Sequence, residues 1–111
     1  MVNQDFLIST TMDLPGYDIL EHRGHCFGLV VRSMGIAKTL TGTFKGLRSG
    51  EVSEYTEVLE QARRHATDRL IENARALGGN AVLGMQFDSS EIGTSMSEIV
   101  AYGYAVLAER R

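Results

Sequence analysis

Ala76-Leu77-Gly78-Gly79-Asn80-Ala81-Val82-Leu83-Gly84-Met85-Gln86-Phe87-Asp88 is the stretch that decides the fold. In it a charged, alanine-rich helical pattern over 52–77 stops at a glycine pair and runs at once into strand. Tyr55, Leu59, Ala62, Ala66, Leu70, Ala74 and Leu77 recur at steps of three or four, which lines them along one side of a helix. Glu51, Glu54 and Glu57 crowd its start, and Arg63, Arg64, Arg69 and Arg75 fall later, a polarity that suits the helix dipole. Ser53 is placed to cap the N-terminus, and Gly78 or Gly79 to take the left-handed conformation that closes the C-terminus. With three alanines on its buried side, the helix can lie close to a sheet.

Strand signals flank the helix. Phe6 to Thr11 and Tyr17 to Arg32 are rich in Ile, Val, Leu, Phe and Thr, with Leu14-Pro15-Gly16 as turn material between them. After the helix come 81–88 and 98–108, joined by the polar connection 89–95. The order strand, strand, helix, strand, strand predicts an α+β fold, a mainly antiparallel sheet with one long helix across one face.

Alternation along the last strand puts Ile99, Ala101, Gly103, Ala105 and Leu107 on one side and Val100, Tyr102, Tyr104 and Val106 on the other. The Ala/Gly side is the shallow surface that an alanine-faced helix fits, so it is assigned to the core. The Val/Tyr row is left uncovered by the helix and reads as an oligomer interface. The competing reading is that 33–48 folds back over it, with Ile36, Leu40, Phe44 and Leu47 at helical spacing.

Length and charge narrow the classes further. The chain of 111 residues has no linker or low-complexity run and reads as a single domain over 1–111. A domain this small hides only about two-thirds of the surface its unfolded chain exposes, so large apolar faces need another partner. The net charge of −3, with scattered basic residues, disfavours nucleic acid. No apolar run approaches the roughly 20 residues of a membrane span. The first residues have neither the basic start nor the apolar core of a signal peptide, and the single Cys26 cannot form an internal disulfide. The expectation is a soluble cytoplasmic protein.

Glu21-His22-Arg23-Gly24-His25-Cys26 is the cluster with metal-ligating residue types, and imidazole with thiolate would suit a divalent transition metal. In an unbroken strand His22 and Cys26 share a face about 13 Å apart, while His25 points to the opposite one. They cannot hold one ion unless Gly24 bends or bulges the strand, or unless copies of His22, His25 and Cys26 meet at a subunit boundary. The alternative is that Cys26 is a small buried apolar residue. Asn80-Ala81 with Gly84 reads either as a pocket edge or as helix-on-sheet packing, and Asp88 as a cation ligand or a solvated hairpin carboxylate. The glycines of 42–50 lack Walker spacing. His65 reads as a solvated helix residue. No Ser/His/Asp or Cys/His arrangement can be assembled, so the chain reads as non-enzymatic.

Tyr55, Leu59, Ala62-Arg63, Ala66, Ala74 and the run Ala76 to Gly84 followed by Phe87-Asp88 resemble the YbjQ-like proteins, the UPF0145 or "putative heavy-metal-binding" family. Arg48-Ser49-Gly50 and Ala101-Tyr102-Gly103-Tyr104-Ala105-Val106 extend the resemblance from about Leu7 to Leu107, with Tyr104 where the family usually has Thr. The resemblance implies a dodecin-like α+β subunit assembled as a homopentamer in prokaryotic cytoplasm, with heavy-metal binding as its labelled role. A small-molecule-binding pentamer with pockets between subunits, or a purely structural assembly module, are the alternatives it leaves open.

Overall fold

Residues 6–33, 53–93 and 96–111 are described by a computed structural model of the chain. In order they form β1 (Leu7–Ile8), β2 (Tyr17–Ser33), α1 (Ser53–Ala76), β3 (Ala81–Ile92) and β4 (Met96–Arg110). The four strands make one mixed sheet in the order β1-β3-β4-β2. β2–β4 and β3–β4 are antiparallel, and the short β1 adds to β3 in parallel. This is the expected α+β architecture, with α1 across one face.

Packing follows the alternation in β4. Ile99, Ala101 and Ala105 are buried with Cys26, Val82 and Met85 from the neighbouring strands against Ala62, Ala66, Leu70, Ile71 and Ala74 of α1. Helix and sheet approach so closely at Gly28 that a Cβ there would overlap the backbone of Ala66, Arg69 and Leu70. The alanine side of the helix makes that approach possible. Leu59 and Leu77, toward the ends of the stripe, are each 37% exposed.

The helix ends as the glycine pair predicts. Gly78 takes a φ of +91°, its N–H donates to the Arg75 carbonyl at 2.9 Å, and the Gly79 N–H donates to Ala74 at 3.0 Å. These crossed bonds are a Schellman closure. Asn80 then imitates a strand residue: its side-chain carbonyl accepts from Ala108 N at 2.8 Å and its side-chain amide donates to Ala108 O at 2.9 Å. That use of the amide favours the packing reading of the Asn80-Ala81 junction.

Several features differ from expectation. The first strand, expected over Phe6 to Thr11, is only Leu7–Ile8. The β3–β4 hairpin is longer, since Ser89 to Ile92 continue the ladder with Ile99 to Met96. Polar side chains hid this strand, which needs a hydrogen-bonding neighbour more than an apolar face. The chain also crosses the outer face of the sheet, the one away from α1, between β1 at one edge and β2 at the other. There Leu7, Leu14, Tyr17 and Ile19 pack over Ala81, Leu83, Val106 and Ala108. The expected fold-back of 33–48 and the cap at Ser53 fall outside the described residues and side chains.

Candidate functional site

The candidate ligands lie on a strand that is not regular. β2 carries irregularities in its pairing with β4 between Ile19 and Glu21 and between His22 and Gly24, leaving Leu20 and Arg23 as extra residues. Gly24 has a φ of +119° at the second. His22 therefore pairs with Val106 and His25 with Tyr104, whereas Cys26 pairs with Gly103. Residues opposite each other in a ladder share a face. The bulge thus corrects the unbroken-strand expectation: His22 and His25 lie on the outer face, and Cys26 lies on the helix side.

Cys26 is 3% exposed within the core, with its Sγ 3.7 Å from the Gly103 carbonyl oxygen. Burial raises its pKa by desolvation, which favours the neutral thiol over the thiolate that binds metal. Beneath α1 it is also shielded from the outer face that carries His22 and His25. Among the described residues no group of three or more His, Cys, Asp or Glu side chains is placed to hold an ion. His22, His25 and Cys26 do not form one site in the chain.

What remains is a pair of imidazoles. Their partners on β4 are two residues apart on one face, about 7 Å along the strand at the usual rise. Metal–nitrogen bonds near 2 Å and the reach of two imidazole side chains span such a gap. The chain supplies two ligands where a closed site needs four.

His25 is exposed and ringed by aromatics. Its ring centroid lies 6.0 Å from Phe27, 6.2 Å from Tyr102 and 5.8 Å from Tyr104. Phe27 is 52% and Tyr104 47% exposed, while Val100 and Tyr102 are half-buried. The Tyr102 hydroxyl donates to Gln86 Oε1 at 3.2 Å. Val106 departs from the expected uncovered row: it is fully buried, because the crossing segment 9–16 packs over that end of the outer face. Phe27 was not singled out in sequence, since only the bulge at Arg23 reveals which parity of β2 faces outward.

The remaining candidates are resolved locally. Asp88 is exposed within β3 and accepts a hydrogen bond from the Ser89 N–H at 2.8 Å. Glu60 and Arg64 form an exposed i,i+4 pair at 3.9 Å, worth a few tenths of a kcal/mol at about 0.3. His65 is not simply solvated, for its Nδ1 lies 2.6 Å from Arg32 Nη2.

Comparison with known proteins agrees with this fold. The family model described as "Putative heavy-metal-binding" matches residues 6–109. A UPF0145 protein of Bradyrhizobium sp. (strain ORS 278) is 50% identical over 103 residues, covering 93% of each chain. A UPF0145 protein of Sulfurisphaera tokodaii is 47% identical over 106 residues, covering 96% of this chain and 93% of that one. A solved structure from Pediococcus pentosaceus, of a protein of unknown function in the DUF74 family, superposes with a TM-score of 0.62 at 17% identity over 96% of this chain and all of that one. No helix among the described residues is long and apolar enough to cross a membrane.

Proposed function

The chain belongs to the UPF0145, YbjQ-like family, and from that membership we propose a non-enzymatic, self-associating subunit whose outer sheet face both contacts its copies and carries the metal-binding imidazoles. The observation that supports this best is the placement of His22 and His25 on one face beside exposed Phe27 and Tyr104. An apolar, aromatic patch of this kind favours a protein contact. The resemblance implies five subunits. Ring symmetry repeats each imidazole in every copy, so a neighbour's histidines complete the coordination number that one chain lacks.

Cys26 has no part in this reading. The test is titration calorimetry with zinc, copper and nickel on untagged protein and on a His22→Ala/His25→Ala variant. Wild type binds, the variant loses at least tenfold in affinity, and Cys26→Ser does not change it. Protons compete with the metal for the same lone pairs, so binding weakens in acid. Equal binding by wild type and variant removes the imidazoles as ligands. No binding by either turns the reading to the small-molecule or structural alternatives.

A further inference from the structure

Between the edge of the sheet at β2 and the flank of α1 lies a shallow cavity of about 510 Å³, broadly open to solvent. Arg32 enters it from the helix-facing side of β2, and His65 and Arg69 line it from one turn of α1 to the next. Arg32 Nη2 donates to His65 Nδ1 at 2.6 Å, which holds the guanidinium at the cavity wall. Arg32 Nε is shielded from solvent and has no hydrogen-bond partner among the described residues. A buried charged donor left this way calls for an acceptor.

Two arginines and one aspartate line the cavity. Among the described residues neither Arg32 nor Arg69 has a carboxylate within ion-pair distance, and Asp68, the acid on the same wall, is engaged in an interaction of its own. Two guanidiniums, with no ion pair among the described residues, stand here on a chain whose net charge is −3. Val30, on the same helix-facing side of β2 as Arg32, adds apolar surface to its wall. A guanidinium matches the planar or tetrahedral oxygens of an oxyanion through paired N–H donors, and the apolar wall favours a hydrocarbon portion attached to it.

We propose that this cavity binds a small organic oxyanion, a carboxylate or phosphate monoester on a short apolar body. Arg32 and Arg69 contact the oxyanion, and Val30 the body. The site is separate from the imidazole pair and stands whether or not that pair binds metal.

Calorimetric titrations of hexanoate, hexyl phosphate and hexanol into wild type, Arg69→Gln and Arg32→Gln/Arg69→Gln test it. One of the two anions saturates wild type and loses at least tenfold in affinity in the double variant, and the tighter binder identifies the headgroup. Should the double variant fail to fold by circular dichroism, Arg69→Gln, at an exposed position, still weakens binding severalfold. Saturation by neither anion, unchanged binding in the variants, or hexanol binding as tightly as the anions would each overturn the proposal.

Discussion

Arg23 donates a 2.8 Å hydrogen bond from Nε to the Leu77 carbonyl oxygen, tying the extra residue of the β2 bulge to the C-terminal end of α1. The last carbonyls of a helix lack partners within it, and a cation beside them also complements the dipole. Arg23→Ala should therefore destabilise the fold by about 1 kcal/mol. The side chain is more than a third exposed, which keeps the loss to this scale. Thermal denaturation checks it, with a fall of about 4 °C expected for a domain of this length. An unchanged midpoint would mean that the bulge stands without its tether.

Gly28 sits where α1 crosses β2. Gly28→Ala places a methyl group into the backbone of Ala66 and Leu70, so helix and strand must separate. A loss of about 3 kcal/mol is expected, toward the upper end for overpacking. Gly78→Val costs on the order of 1 kcal/mol or more for a different reason, the left-handed backbone at φ +91°. Urea denaturation of each variant separates both from a neutral surface change; tolerance of Gly28→Ala would contradict the tight crossing.

The Cys26 thiol should resist a thiol-specific alkylating reagent in the native protein and react fully in denaturant. Its folded pKa is raised by burial, so the native state holds a proton that the unfolded state releases. Stability from this group is complete below the unfolded thiol pKa and declines as pH rises from there through the folded value. Unfolding curves across the alkaline range on wild type and Cys26→Ala give the comparison. Rapid native alkylation would show that the thiol is not held in the core.

On the proposed self-association, Tyr104→Glu should weaken the contact between copies, because it puts a carboxylate into an apolar patch with only His25 beside it, at a cost of about 3 kcal/mol per interface. Val106→Glu should instead unfold the chain, since Val106 is fully buried among Leu83, Ala108 and Ile19. Light scattering paired with circular dichroism distinguishes the two outcomes. A folded monomer of wild type at micromolar concentration would end the self-association proposal.

The sequence by itself determined a helix over about 52–77, its closure at the glycine pair Gly78-Gly79, the following strand and the division of β4 into a helix-facing and an outer side. Those features rest on local periodicity and on what glycine alone can do, and both are written in consecutive residues. Tertiary structure decided the rest. The faces of His22, His25 and Cys26 depend on the extra residue Arg23, because a single bulge reverses the parity of everything beyond it. The burial of Val106 depends on residues 9–16 crossing from one sheet edge to the other, and the Arg32–His65 contact joins positions 33 residues apart. Alternation within a strand records only that a side chain has a face; which face is covered, and by what, is fixed by chain segments distant in sequence.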